Sequence, residues 1–428
     1  MTDHRKILWK ILAFSIAMQW LNPCPAESDP PESMRSSGIR GTASPASAER
    51  SLLKSLSDWK LPDTVQIHGF ASQSYLHTTG NNFFGHSTNM GSLDFTEMGI
   101  NGSWRPLSNL QTSLQVVYRR AGRTDDSDLR IDFGFLDYSF LSDAENLAGV
   151  RLGRVVNPYG LYNDTRDMPF TRPSILLPQS IYFDVDRNFA LSGDGIQLYG
   201  ERRSKLGDLF LQLNGIYSRT DDPTLKAGIT QGLPGKLDGE PSYVARLMYE
   251  WDAGKIRLGV TSAELNAEYE PPKGQADLEH GNFTFFVPIL FSAQYNSEHW
   301  SLTGEYALRQ TSFHGFSSPD MSFTGESYYV QGAYRFTESM EGYLRYDVLY
   351  TDRDDRNGKK FELDYGLPAY TQFAKDVTVG VRWDVTTWFM LRAEYHRING
   401  TAWTSGLENT GDTSQHWDLF GLSASFRF

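Results

Sequence analysis

The sequence predicts an all-β chain: a transmembrane antiparallel barrel of about sixteen strands. Three observations carry that expectation. Apolar and polar residues alternate with a period of two from Thr64 onward. The connections between these runs are short and long by turns. Aromatic residues make up 14% of the chain although mean hydropathy is only −0.44, the balance of a wall with lipid on one face and water on the other.

The N-terminus comes before any of this. Arg5, Lys6 and Lys10 form a positive region with the apolar stretch ILWKILAFSIAMQWL, which reads as a signal peptide over 1–26 cleaved after Ala26. Cys24 is the only cysteine and falls in that peptide. LNPC is a poor lipoprotein signal, because Pro stands where a small residue is wanted. The mature chain then has no thiol for a disulfide or for catalysis. Residues 27–62 form a flexible periplasmic leader, in which Leu52, Leu53, Leu56 and Trp59 share one face of a short helix over 48–59 that Pro62 would end. The barrel takes 63–428. No later run reaches about 18 apolar residues, so no spanning helix is expected. A net charge of −12 without basic clusters argues against a nucleic-acid partner.

Alternation then justifies the strands one by one. In NLQTSLQVVYRR, Leu110, Thr112, Leu114, Val116 and Tyr118 share a face opposite Gln111, Ser113, Gln115 and Arg119. SYVARLMYEW and VTVGVRWDV repeat the pattern, at about the ten-residue length of a tilted strand crossing a bilayer. Sixteen such segments begin near residues 64, 92, 109, 129, 147, 190, 207, 242, 254, 281, 298, 323, 341, 375, 387 and 414. Turns such as WRPLSN, LSDAEN and WDAGK are tight. Connections such as RTDDPTLKAGITQGLPGKLDGE and NGTAWTSGLENTGDTSQ are long, which is the turn-and-loop rhythm of a transmembrane barrel. Tyr217, Trp251, Trp300, Tyr334, Phe336, Tyr350, Trp383 and Trp388 collect near the outward strand ends, as an interfacial girdle would.

The last strand, HWDLFGLSASFRF, alternates Phe420, Leu422, Ala424, Phe426 and Phe428 and stops on Phe428. Here the chain resembles the Gram-negative outer-membrane porins of the sixteen-strand superfamily, over Thr64 to Phe428 in architecture. The resemblance implies a location in the outer membrane, reached by export through the periplasm. It implies recognition of Phe428 by the barrel-assembly machinery, contact with membrane lipid and lipopolysaccharide, and a homotrimer. It also implies a water-filled channel for passive diffusion of small hydrophilic solutes and ions, without a cofactor or bound metal.

On a sixteen-strand wall the inward positions line a channel. They place Arg119, Arg246, Arg257, Arg309, Arg335, Arg345, Arg382, Arg392 and Arg427 in the lumen, against Glu250, Glu305, Asp347, Asp384 and Glu394. Arg335, Arg345, Arg382 and Arg392 fall on four consecutive strands, roughly 4.8 Å apart. They form either a basic patch that favours anions or a set paired with Asp347, Asp384 and Glu394 that stiffens the wall. The third long connection, VNPYGLYNDTRDMPFTRPSILLPQSIYFDVDRNF (156–189), is the one that folds into the barrel in the resembling porins. Pro158, Pro169, Pro173 and Pro178 stiffen it and remove donors. Asp164, Arg166, Asp167 and Arg172 either anchor it or face the eyelet, and Asp184 and Asp186 add acid before the next strand. Acids on the loop opposite arginines on the wall would set a transverse field across the constriction, with ILLP tucked against the wall.

VRLGRVVNPYG is similar to the strand-to-loop passage of phosphate-selective members of the superfamily. Phosphate selection also calls for inward lysines, which this sequence almost lacks. A sugar or aromatic-acid channel would need a track of inward aromatics, for which Tyr329 and Tyr343 are candidates. A barrel enzyme is the remaining alternative. The histidines are scattered, and neither G-x-S-x-G nor H-E-x-x-H occurs.

Overall fold

A computed structural model describes residues 62–230, 232–275, 278–316 and 320–428. The expected signal peptide, the 48–59 helix and all of the leader but Pro62 lie outside the described residues. The first half of the barrel comprises β1 (Val65–Thr78), β2 (Ser92–Leu107), β3 (Leu110–Ala121), β4 (Asp126–Ser142), β5 (Asn146–Val156), β6 (Ser192–Arg202), β7 (Asp208–Tyr217) and β8 (Lys236–Trp251). The second comprises β9 (Ile256–Glu270), β10 (Gly281–Asn296), β11 (Trp300–Gly315), β12 (Met321–Arg335), β13 (Met340–Tyr350), β14 (Phe373–Asp384), β15 (Phe389–Gly400) and β16 (His416–Arg427). Each strand pairs antiparallel with its sequence neighbours, and β1 pairs with β16 to close the barrel. Closure removes both sheet edges. Among the described residues no helix is long and apolar enough to cross a membrane.

The period of two places the faces as expected. Leu114, Leu247, Val379 and Trp383 point outward and are about half exposed, whereas Gln115, Arg246 and Thr378 point inward and are buried. Prolines within strands coincide with register shifts. Pro106 lies in the shift between Trp104 and Leu107, Pro288 in the shift between Phe286 and Ile289, and Pro241 in the shift between Glu240 and Tyr243. A proline cannot donate to the ladder, so a strand accommodates it at a bulge. This explains the one large error in the expected strand starts: β8 runs through Pro241 and begins at Lys236, not near 242. The aromatic girdle is also one-sided. Trp251, Trp300, Tyr334, Phe336, Trp383 and Trp388 adjoin short turns, and only Tyr217 and Tyr350 adjoin long loops.

The barrel is closed at its chain ends by Phe428, whose backbone exchanges hydrogen bonds of 3.2 and 3.0 Å with Gly69. A Cβ at Gly69 would fall 2.4 Å from the Phe428 ring, so a larger residue there would displace that ring. Three short helices sit in the long loops: α1 (Arg187–Leu191), α2 (Pro223–Thr230) and α3 (Lys359–Tyr365).

The interior is filled near its middle. One buried cluster joins Tyr159, Ile181, Tyr182 and Phe189 of the third loop to Leu225 of α2 and to Val244, Leu265, Phe283 and Tyr329 on the wall. A second packs Ile175 and Leu176 of the same loop against Leu76, Trp403, Trp417 and Leu419. The expected tucking of ILLP against the wall is observed: Ile175, Leu176 and Leu177 are all buried.

Candidate functional site

The third loop leaves β5 through Asn157 and returns through α1. Asn163 ties these ends together, its Nδ2 donating to the carbonyls of Asn157, Ala190 and Leu191. Gly160 then turns the chain at φ +59°, where a Cβ would sit 2.3 Å from the Tyr182 hydroxyl and 2.8 Å from Glu305. Only glycine fits this entry.

From Gly160 onward the loop backbone is held by inward side chains of β8, β11, β13, β14 and β15. Arg246 donates to the Gly160 carbonyl at 2.7 Å and pairs with Asp164 at 2.5 Å. Glu305 accepts from the Leu161 amide at 3.0 Å and from the hydroxyls of Tyr182, Tyr329 and Ser292. Arg309 donates to the Ser180 carbonyl, and Asp347 accepts from the Ser180 amide. Arg345 donates to the carbonyl of Leu176. Glu394 accepts from the amides of Ile175 at 2.7 Å and Leu176 at 3.1 Å. Arg382 donates to the carbonyls of Phe170 and Arg172, and Arg392 to those of Ser174 and Pro169. Arg427 on β16 stacks over the Phe170 ring, 4.4 Å away. A loop with this many buried polar groups needs partners for them, and the wall supplies most of the backbone ones named here.

Towards β2, β3 and β4 the same loop is held by ion pairs. Arg119 is 3.3 Å from Glu97, 3.2 Å from Asp125 and 3.2 Å from Asp184. Arg166 also reaches Asp184 at 3.2 Å, and Arg172 approaches Glu97 at 3.6 Å. Arg187 contacts Asp167 and lies 3.8 Å from Asp132. Arg130 pairs with Asp125 at 2.7 Å. Burial alone would raise Asp184, but Arg166 and Arg119 hold it below the ordinary carboxylate range. Asp125 is lowered to about 2: Arg130 and Arg119 outweigh its burial.

Several expectations change against this geometry. The inward arginines are not a free ladder: Arg345 and Arg392 donate to loop carbonyls, and so does Arg382, which also pairs with Asp384 at 3.0 Å. Asp347 and Glu394 hold loop amides rather than these arginines, since a buried amide competes for the same carboxylate. Arg335 is exposed at the turn end, away from the loop. Asp167 and Asp184 are buried in ion pairs on the β2–β4 side, so they do not face the arginines of β13–β15 across open water. Asp164 is the exposed acid, beside Thr165. Asp186 has no ion pair among the described residues, and burial with the charge of Asp222 pushes it up to about 8. Tyr329 and Tyr343 are no solute track: their hydroxyls bond Glu305 and Glu394.

Glu97, Asp125, Arg130, Asp132 and Arg187 were missed. All but Asp125 and Arg187 occupy inward strand positions, which an accounting of every inward charge at loop level would have found.

His396 lies in the one buried histidine cluster among the described residues. Its Nδ1 is 2.7 Å from Asp376 and 3.0 Å from the Thr378 hydroxyl, and its Nε2 is 3.0 Å from Glu394. A hydrolytic triad places a nucleophile on one ring nitrogen and a carboxylate on the other. Here each nitrogen faces a carboxylate, and Glu394 passes the restraint on to the loop. Among the described residues no group of acids and histidines is arranged to hold a metal ion.

No protein-family model and no curated protein matches the chain. Solved structures do. The outer membrane channel DcaP of Acinetobacter baumannii superposes with a TM-score of 0.55 at 12% identity, covering 85% of this chain and 97% of that one. The anion-selective porin from Comamonas acidovorans gives 0.51 at 13%, covering 85% and 99%. OmpF of Salmonella typhi gives 0.51 at 14%, covering 85% and 97%. With its closed sixteen-strand sheet, the chain has the fold of the outer-membrane porins.

Proposed function

We propose that the protein is an outer-membrane channel for passive diffusion of small hydrophilic solutes and ions, with the third loop as its constriction. The observation that carries this is the loop's position. It is bonded to inward side chains on β2–β4 and, across the lumen, to those on β11–β15. Its exposed edge is Asp164, Thr165 and Thr171, which we assign to the eyelet. Arg166, Asp167, Arg172 and Asp184 are assigned to anchoring. The outward girdle and apolar face suit lipid, and Phe428 suits recognition during barrel assembly. Assembly as a trimer, contact with lipopolysaccharide, and export by a cleaved signal peptide belong to the same reading.

A preference for anions is the finer part of the proposal. Arg309, Arg345 and Arg392 have no carboxylate within 4.0 Å among the described residues, although the buried acids Glu305, Asp347 and Glu394 on the same wall offset their charge. One structural neighbour is itself described as anion-selective. Deleting about ten residues around Thr165 should raise single-channel conductance, and an unchanged conductance would remove the loop from the pore. A reversal potential in a KCl gradient tests the selectivity, which cation preference would refute.

A further inference from the structure

On the long-loop side of the third loop lies a cavity of about 90 Å³. Phe183, Phe189, Phe283, Phe285, Phe323 and Trp403 are among the residues that line it. Three charged residues line it as well, Arg166, Arg309 and Asp186; Arg166 is already paired with Asp184 and bonded to the carbonyls of Tyr182 and Phe183. Arg309 donates to the Ser180 carbonyl at 3.1 Å and the Ser327 hydroxyl at 2.5 Å, with its guanidinium 4.6 Å above the Phe183 ring. No carboxylate of the described residues lies within 4.0 Å of it. Asp186 forms no ion pair among those residues, and its buried Oδ1 has no hydrogen-bond partner. Arg309 and Asp186 thus present a cation and a carboxyl group, neither with an oppositely charged partner, to one cavity lined in part by aromatic rings.

We propose that this cavity binds a small zwitterion, with its carboxylate at Arg309 and an alkylated ammonium at Asp186 among the aromatic rings. Ring faces attract a cation, and more strongly where water is excluded. An alkylated ammonium also sheds its hydration more readily than a primary one, which suits a wall with few hydrogen-bonding groups. A buried charge without a counter-charge is unfavourable; a zwitterion brings a carboxylate to Arg309, and its cation favours the ionised form of Asp186, whose carboxyl burial otherwise pushes up to about 8. At about 90 Å³ the cavity is a close fit for a compact solute of about eight non-hydrogen atoms and excludes a sugar. The proposal deepens the channel reading and rests on it, since the occupant would be a permeant solute.

The test uses the full-length refolded barrel in detergent, titrated calorimetrically with glycine betaine. Two comparators separate the charges: choline carries the cation without a carboxylate, and 3,3-dimethylbutanoate keeps shape and carboxylate without the cation. Betaine should bind on the order of millimolar Kd, with each comparator about tenfold weaker, equivalent to 1.4 kcal/mol. Asp186→Asn should weaken betaine about tenfold and leave 3,3-dimethylbutanoate unchanged. Arg309 also holds the loop, so Phe285→Ala serves as the second variant: it removes a ring face, touches no anchor, and should weaken both betaine and choline. No heat with betaine, equal heat from betaine and 3,3-dimethylbutanoate, or Asp186→Asn without effect would overturn the proposal. Single-channel conductance of the same preparation keeps the two readings apart. An open pore without betaine heat ends this proposal alone, and betaine heat without conductance ends the channel reading.

Discussion

The third loop meets two walls of opposite character. Towards β2–β4, side chain meets side chain: Arg119, Arg166, Arg172 and Arg187 interlock with Glu97, Asp132, Asp167 and Asp184. Towards β11–β15, wall side chains meet the loop's backbone: Glu305, Asp347 and Glu394 take its amides, and Arg309, Arg345, Arg382 and Arg392 take its carbonyls. The first contact depends on which side chains the loop carries. The second depends only on the path it follows. A loop anchored both ways has a fixed position on one wall and a charge-tuned one on the other.

The comparison predicts unequal effects when each wall is broken. The largest should come from Glu394→Ala on β15. That change leaves the amides of Ile175 and Leu176 without acceptors, and it also deprives the Tyr343 hydroxyl and His396 of a partner. Breaking a buried charged network costs about 3–5 kcal/mol. Higher and noisier conductance and a lower melting temperature are expected; a quiet wild-type conductance would mean that backbone capture does not fix the loop. Arg119→Met on β3 should act less strongly despite its three carboxylate partners. Asp125 keeps Arg130, Asp184 keeps Arg166, and Glu97 keeps Arg172. Conductance rising further in Arg119→Met than in Glu394→Ala would reverse the ranking of the two walls.

The same contrast explains what was legible in the sequence. Strand number and facing followed from a period of two, because burial of alternate residues is a local property. The loop's inward course followed from its length and place in the rhythm of connections, together with the porin resemblance. Arg119, Arg166 and Asp184 could be singled out because ion pairing uses side-chain charge, which sequence displays. Arg345 binding the Leu176 carbonyl could not be foreseen, since any residue at 176 offers that carbonyl and only the folded path brings it there. Tyr329 and Tyr343, too few for a solute track on sequence alone, have a role that was hidden for a related reason. As inward aromatics they suggested a solute surface, but each carries a hydroxyl that a buried carboxylate takes first.

Acid should loosen the β2–β4 side by a smaller step. Asp125 is lowered from an ordinary 3.8 to about 2, and Asp184 is lowered in the same direction. A depressed carboxylate contributes stability that is full above its unfolded pKa and is lost as pH falls through the folded one. The contribution of Asp125, which holds Arg119 beside the loop, is therefore complete above about pH 4 and fades towards pH 2, and that of Asp184 on the loop is lost in the same direction. Conductance followed over that window should rise, and Asp125→Asn with Asp184→Asn should flatten the response. A response identical to wild type in the double variant would place the acid-sensitive groups elsewhere.

The smallest effect belongs to a third contact, outside both walls. Glu408 in the last loop accepts from the amides of Gly85 at 2.7 Å and Arg123 at 2.9 Å, joining three outer loops. Burial pushes its carboxyl from an ordinary 4.5 up to about 7, more than these two donors offset. The sign is opposite to that of Asp125. With the folded pKa above the unfolded one, the contribution is full below about pH 4.5 and is lost as pH rises through about 7. Glu408→Gln keeps an acceptor for both amides and removes the titration. The fall in melting temperature between pH 5 and pH 8 should therefore be shallower in Glu408→Gln than in wild type, with conductance the same, because the substitution keeps the acceptor for both amides and leaves the loop packing in place. An equal slope in the two proteins would show that Glu408 stays ionised when buried. In that case the outer loops, like the β2–β4 wall, would be held by a charge that neutral pH leaves intact.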